Sequence, residues 1–315
     1  MIDRVNLRSF TENSIAFYQE RFPYINVITN DRTKLDEYYW KVKNLKIRYR
    51  PDYWCTRKGE ECNEIFISHS IHKYAKGDNI SDFSLKDVKS TIQWLCVDFK
   101  LMPYKIKCTK LEIGVNIIVA KNPNDYLPIF IEYKKHAFRD LRPRGKSTIK
   151  CGVVCDYTNY VIKAYNKTED HRYEMSIPLR DLHFIQRAIR IEIEYKSGKL
   201  RTIKQDITAQ DLFSQDFMDI MIKEFLKIFN NIEMVNNEVE WNQYGLQEIM
   251  YILLVTSPTE YKRLKSIVSK RSSDEKKRLK RWLKKTNDKI GEGKFNLVEE
   301  VQKKVHDKIE ELRWG

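Results

Sequence analysis

Tyr165 and Lys167 stand two residues apart in IKAYNK (residues 162–167), and Arg190, Glu192 and Glu194 alternate in IRIEIEYK (189–196). A third alternating stretch, TKLEIGVNIIVA (109–120), carries Glu112 and Asn116. Carboxylates drawn from separate segments suit a hard divalent cation such as Mg2+ or Mn2+, which takes oxygen ligands. Such an ion polarises a phosphodiester as a Lewis acid and holds it for in-line attack. A tyrosine hydroxyl is a competent covalent nucleophile. A lysine beside it stabilises the phenolate and the extra charge of the transition state.

All three stretches read as β-strands, rich in β-branched residues with apolar and polar positions alternating. Side chains on a strand point to opposite faces with a period of two. Val161, Lys163, Tyr165 and Lys167 therefore share one face, with Ile162 and Ala164 behind them. Arg190, Glu192, Glu194 and Lys196 share another, backed by Ile189, Ile191 and Ile193. Leu111, Ile113, Val115 and Ile117 likewise back Glu112, Gly114 and Asn116. Gly114 in mid-strand signals either a bulge or the close approach of a ligand or another backbone. Tyr157 and Tyr160 are rival nucleophiles: Tyr160 has the opposite parity to Tyr165, and Tyr157 has the same parity but lies near the strand start. Composition and spacing alone leave open a plainer arrangement, in which cross-strand Lys–Glu pairs merely decorate an exposed sheet face.

The 315-residue chain is 32% charged and 42% apolar, with a net charge of +14. It is long enough for two domains, and so basic a chain points to a polyanionic partner, most simply nucleic acid. Residues 1–10 lack the apolar core of a secretory signal, and the longest apolar run, residues 249–255, is too short to span a bilayer. A cytoplasmic, non-membrane protein is expected. The six cysteines form no C-x-x-C pair, so reduced thiols are expected and a structural zinc site is not. His69 and His72, read as i,i+3 on a strand, point to opposite faces and are taken as structural.

Further strands are expected over residues 2–7, 24–27, 44–49 and 64–69. A helix is expected over 84–100, with Ser84 as N-cap and Asp87 at the third helical position. Residues 134–150 hold seven basic side chains against one acid, plus Pro143 and Gly145. This is a loop or hairpin able to grip phosphates through Lys134, Lys135, Arg139, Arg142, Arg144 and Lys146. Beyond residue 205 the pattern turns helical, with helices expected over 208–230, 243–255, 259–268, 273–285 and 296–312. Ser272 and Glu275 fit a capping box. Residues 270–289 carry ten basic and three acidic side chains, so Lys277, Lys280 and Arg281 are candidate phosphate contacts, or else simply a solvated helix face.

The order of motifs resembles the replication initiators of filamentous phages and related rolling-circle plasmids. The likeness rests on KLEIGVNI (110–117), IKAYNK (162–167), IRIEIEYK (189–196) and the opening MIDRVNL, and spans roughly residues 1–200. It implies an α+β catalytic domain, residues 1–205, built on a mainly antiparallel central sheet of the Rep-nuclease type with helices on one face. A helical domain, residues 206–315, follows, to bind DNA or recruit partners. The resemblance makes Tyr165 the nucleophile that nicks one origin strand and keeps the 5′-phosphate, with Lys167 as its electrostatic partner. It makes Glu112 and Glu192 ligands of Mg2+ or Mn2+, with Glu194 as a further ligand or water-orienting base. Lys163, Arg190 and Asn116 are placed against DNA. Implied partners are origin DNA, as a single-stranded or hairpin nick site with adjoining duplex, and a host helicase and polymerase. Two departures stand out: no His-x-His pair is present, so ligation falls to acids, and Glu112 stands where the family strand can carry Asp. No G-x-x-x-x-G-K-[ST] loop occurs, so no fused helicase is expected. A non-catalytic DNA-binding regulator and a metal-dependent hydrolytic nuclease are the alternatives.

Overall fold

The computed structural model describes residues 2–22, 24–29, 36–55, 60–142, 151–170, 187–235, 257, 260, 263–264, 266–267, 272–291 and 296–314. The strands are β1 (Ile2–Thr11), β2 (Asn26–Thr29), β3 (Asp36–Val42), β4 (Leu45–Cys55), β5 (Glu60–Ser70), β6 (Lys107–Ile118), β7 (Phe130–Tyr133), β8 (His136–Ala137), β9 (Arg139–Leu141), β10 (Gly152–Asp156), β11 (Tyr160–Asn166), β12 (Ala188–Lys196) and β13 (Ile232–Met234). Ten of them form one sheet in the order β2-β3-β4-β5-β1-β6-β12-β11-β10-β9, and β13-β7-β8 form a small second sheet. The pairings along the large sheet are antiparallel, so the protein is α+β, as expected. Two of the three chemistry-bearing strands, β6 and β12, lie at the centre, with β11 beside them.

One face of this sheet is the core wall. Val5 and Leu7 of β1, Ile47 of β4, Ile65 and Ile67 of β5, Leu111 to Ile117 at alternate positions of β6, and Ile189, Ile191 and Ile193 of β12 are all buried in a single apolar cluster. Helices close over it. The helix Leu85–Asp98 contributes Val88, Ile92 and Leu95. Its first turn is set by a capping box, in which Ser84 Oγ accepts from Asp87 N and Asp87 Oδ2 accepts from Ser84 N, satisfying two donors that a helix start leaves unpaired.

The helix Gln215–Phe229 begins later than its apolar pattern predicts. Thr208 is still bridged to Lys107 at the end of β6, and Asp211 accepts from the Thr208 backbone at 2.9 Å. A 3-10 turn over Asp211–Phe213 follows, and the α-helix starts only after Ser214. This helix and the helix Leu297–Trp314 lie beyond the expected 205/206 boundary. Phe217, Met221, Phe225, Val301, Val305 and Ile309 nevertheless bury themselves in the same cluster as the sheet. The helix Ser273–Gly291 starts as expected, with Glu275 accepting from both Ser272 N and Ser272 Oγ. The expected helix over 243–255 falls outside the described residues, as does half of that over 259–268. No helix among the described residues is long and apolar enough to cross a membrane.

His72 lies on the helix Ile71–Lys76 rather than on a strand. Ser70 caps that helix, and His69 turns the corner with a positive φ of 98°. The His72 ring stacks on Phe83 with centroids 4.6 Å apart. Cys96, Cys108 and Cys155 are buried free thiols and behave as small apolar residues.

Ile191 sits at the middle of β12 and is fully buried. Ile191→Ala should lower the unfolding free energy by about 2–5 kcal/mol through lost transfer and a residual cavity. Urea denaturation measures this, and a loss below about 1 kcal/mol would show that this strand does not anchor the core.

Candidate active site

The opposite face of the sheet brings together the polar residues of β1, β6, β12 and β11. Register does the assembly: Arg190 lies opposite Asn116 and Tyr165, Glu192 opposite Gly114 and Lys163, and Glu194 opposite Glu112 and Val161. Glu112, Glu192, Lys163 and Tyr165 therefore converge, as their alternation predicts. The Lys163 ammonium stands 2.8 Å from Glu112 Oε2 and 3.6 Å from an oxygen of each of Glu192 and Glu194. It fills the space between three carboxylates that a cation of any kind would favour. The Tyr165 hydroxyl donates to Glu192 Oε1 at 2.7 Å.

Asp3 is the acid that the strand pattern hides. By simple alternation it belongs with Val5 and Leu7 on the core face. The β1–β6 register slips between Ile2 and Arg4, and a bulge of this kind re-aims a side chain. Asp3 accordingly turns to the polar face, where Arg190 Nη2 donates to its Oδ2 at 2.9 Å and Ser70 Oγ donates to its Oδ1. Ligand oxygens of Asp3, Glu112 and Glu192 lie within 4.8 Å of one another, and all three residues are buried. The signal available in sequence was a lone acid inside an otherwise apolar-alternating first strand.

Arg190 ties the group together. Its Nε donates to Glu192, its Nη1 to Asn116 Oδ1 at 2.9 Å and its Nη2 to Asp3. Expected against DNA, it is only 2% exposed and its donors are taken up inside the protein. Asn116, also placed against DNA, donates to the backbone carbonyls of Asn79 and Ile80 at 3.1 and 2.9 Å. Gly114 is explained by this arrangement, being neither bulged nor close to foreign backbone. A Cβ there would fall 2.8 Å from Arg190 Nη2 and 2.9 Å from Glu192 Cγ. Gly152 plays the same part for Tyr165, whose Cβ would lie 2.4 Å from an added methyl.

Electrostatics split the carboxylates. Burial raises Glu112, reinforced by the charge of Glu192 and opposed by Lys163 and Arg4, to about 7. Burial also acts on Glu192, but Arg190 and Lys163 outweigh it and hold that carboxyl below its ordinary value. Asp3 is depressed too, Arg190 and Ser70 overcoming its burial. Burial, with Glu192 alongside, pushes the Tyr165 phenol well above its ordinary value. Among the described residues Glu112 Oε1 has no hydrogen-bond donor and is sealed from solvent; Arg4 Nε stands 3.5 Å from it. An orphaned carboxylate oxygen facing two further acids is a donor set that fits a hard divalent cation.

The remaining expected residues are placed less centrally. Lys167 lies past the end of β11, in a single helical turn at 167–170. It is fully buried, pairs with Asp170 at 2.5 Å and lies 5.8 Å from the Tyr165 ring centroid. Glu194 pairs with Lys110 at 2.8 Å on the more exposed side of the cluster. Lys134 and Lys135 form the exposed turn between β7 and β8, both with positive φ. Arg139 is exposed and pairs with Asp156; Arg142 is exposed. Arg144 and Lys146 fall outside the described residues. Lys277, Lys280 and Arg281 are exposed on the helix Ser273–Gly291. Tyr157 and Tyr160 stack at 5.0 Å and pack against Tyr133 on the core side of β11, away from the acids.

The chain matches no protein-family model and no curated protein sequence. Among solved structures it is similar to the rolling circle replication initiator protein from Geobacillus stearothermophilus, at 10% identity and a TM-score of 0.37, over 68% of this chain and 78% of that one. At that distance the similarity assigns no activity.

Two measurements check the electrostatic picture. Arg190→Gln strands Asp3 and Glu192 without their shared partner, so the unfolding free energy should fall by about 3–5 kcal/mol; a change under about 1 kcal/mol would exclude Arg190 as the bridge. His72 is buried, which lowers its pKa from 6.5 to about 4. The unfolded chain thus binds more protons between those values, and the stability contributed by neutral His72 is complete above about 6.5 and lost as pH falls toward about 4. His72→Gln removes this component, so its stability deficit relative to wild type should narrow as pH drops from about 7 to about 4.5.

Proposed function

We propose that the protein is a metal-dependent DNA-nicking strand transferase of the replication-initiator type, in which Tyr165 is the nucleophile. The observation that carries this reading is the convergence of three buried carboxylates within 4.8 Å of one another beside a tyrosine hydroxyl bonded to one of them. The net charge of +14 supports a polyanionic substrate. Asp3, Glu112 and Glu192 are the residues that would hold Mg2+ or Mn2+, and the ion would supply Lewis-acid polarisation of the scissile phosphodiester.

The side chains then have distinct parts. The Tyr165 oxygen attacks phosphorus while its proton passes to Glu192 along the existing hydrogen bond. The P–O3′ bond breaks, the 3′ oxygen takes a proton from solvent, and the 5′-phosphate stays on Tyr165. Lys163, which bridges Glu112, Glu192 and Glu194, is suited to pair with a phosphate oxygen once it leaves Glu112. Lys167, below the ring, opposes the charge of the departing phenolate. The exchange of one phosphodiester for another nearly conserves bond energy, so a fresh 3′-hydroxyl can reverse it and rejoin the strand. The released 3′-hydroxyl is the end a polymerase extends, which makes origin DNA, a helicase and a polymerase the partners of this reading.

One observation favours a second reading. The Tyr165 hydroxyl is buried and its phenol is hard to ionise, which suits hydrolysis by water, with the carboxylates as its activators and Tyr165 as a positioning residue. A single assay separates them. The protein is incubated with end-labelled single-stranded oligonucleotides and Mg2+ or Mn2+, then run on a denaturing protein gel. A covalent protein–DNA adduct that disappears in Tyr165→Phe is the expected result. Cleavage without an adduct, unaffected by Tyr165→Phe, establishes the hydrolase instead, and binding with neither leaves a non-catalytic DNA-binding protein.

A further inference from the structure

The polar face of the sheet does not end at the acids. It continues across β1, β5, β4 and β3, where none of the residues discussed above as DNA contacts lies. Strand register lays its side chains out in rows. One row runs Lys41–Lys46–Ser68–Asn6–Lys110–Lys196, each residue directly opposite the next on adjacent strands from β3 to β12. The row beside it runs Tyr39–Arg48–Phe66–Arg8–Lys107. At ~4.8 Å per strand, five steps give the first row a length of roughly 24 Å.

The chemistry of the rows is specific. Phe66 and Tyr39 are half-buried aromatics on the polar face, not core residues. Phe66 carries guanidinium groups around its ring, Arg48 at 4.1 Å and Arg8 at 5.5 Å from the centroid. The buried acids beneath, Glu64 and Glu37, are paired with Arg8 and Arg50. Lys107 and Lys110 pair with Asp206 and Glu194. Lys41, Lys46 and Arg48 pair with no carboxylate among the described residues, and both lysines are exposed. Rings and guanidinium planes, flanked by two exposed lysines that meet no carboxylate among the described residues, make a stacking surface with phosphate contacts alongside. Stacked and paired bases leave no free face for a ring to cover, so aromatic positions set among the cations favour an unpaired strand. The row nearest the acids ends beside Glu112 and Glu194, so a strand lying along it is delivered to the cluster.

We propose that the polar face of β3, β4, β5 and β1 is a binding track for single-stranded DNA. The choice of DNA over RNA rests on the function proposed above; the track itself does not require the chemistry. Its test therefore uses binding alone, with the full chain carrying Tyr165→Phe and with EDTA present, so that a failure of the track and a failure of catalysis are read separately. Fluorescence anisotropy with a labelled oligo(dT) measures affinity as a function of salt. The triple variant Lys41→Gln, Lys46→Gln, Arg48→Gln should bind roughly tenfold or more weakly at moderate salt. Its slope of log affinity against log salt should be shallower by about 2, from about 0.7 per lost phosphate contact. Phe66→Leu should weaken binding several-fold with the slope unchanged, because stacking carries no counterion release. Unchanged affinity and slope in a triple variant with wild-type circular dichroism would overturn the proposal. So would duplex bound as tightly as oligo(dT), or oligo(dT) displaced by polyglutamate as readily as by unlabelled oligo(dT). Tighter binding of oligo(rU) than of oligo(dT) would overturn the assignment to DNA.

Discussion

The guanidinium of Arg190 is the constraint on which the polar face depends. It joins β12 to β1 through Asp3 and to β6 through Asn116, and it holds Glu192 in its own strand. A charge so deeply buried is tolerated only when its donors are all matched by acceptors, because an unpaired ion in a low-dielectric interior is destabilising by several kcal/mol. That requirement reaches into the backbone. Position 114 must lack a Cβ to leave room for the guanidinium, and β1 must bulge to present Asp3 rather than bury it against Val5. Arginine suits the place better than lysine, since a planar fork of five donors can serve three acceptors at fixed angles whereas an ammonium cannot.

The strands of this centre were legible from alternation alone, since β6, β11 and β12 each separate charged from aliphatic positions with a period of two. Antiparallel pairing in register then leaves little freedom, and Glu112, Glu192, Lys163 and Tyr165 had to meet once the three strands became neighbours. What alternation could not show is any departure from it. Asp3 lies in a register slip, and Lys167 lies just past the strand end, in a helical turn, so strand alternation locates neither. Arg190 was legible as a polar-face residue but not as a buried one, because a sequence records charge and not the two acids that enclose it. For the same reason the plainer expectation of cross-strand Lys–Glu pairs is partly realised here: Lys163 and Lys110 do pair with glutamates across strands, but in a buried cluster rather than on an open face.

Basic residues show the opposite bias. Runs such as 134–146 and 270–289 attract attention because their charges are adjacent in sequence. Several of them, Lys134 and Lys135 among them, sit on exposed turns or helix faces. Lys41, Lys46, Lys110 and Lys196 are scattered through the chain, yet strand register sets them in one line. A window slid along the sequence cannot see a row that runs perpendicular to the strands. Neither can it see that Phe66 lies on the polar face, since a phenylalanine in a strand reads by default as core.

Charge balance connects the two parts of this face. Four carboxylates, Asp3, Glu112, Glu192 and Glu194, are matched by four cations, Arg4, Lys110, Lys163 and Arg190. The acids proposed to hold a divalent ion therefore present no net negative field to an approaching phosphate, and Lys41, Lys46 and Arg48, which meet no carboxylate among the described residues, set the local sign. An acidic cluster standing alone would repel a polyanion over roughly the 8–10 Å Debye length of physiological salt. Neutralised from within and bordered by basic rows, it can receive one. Lys163 is held by the carboxylates of Glu112, Glu192 and Glu194, so in the proposed reaction it can exchange a glutamate for a phosphate without disturbing the apolar face behind it.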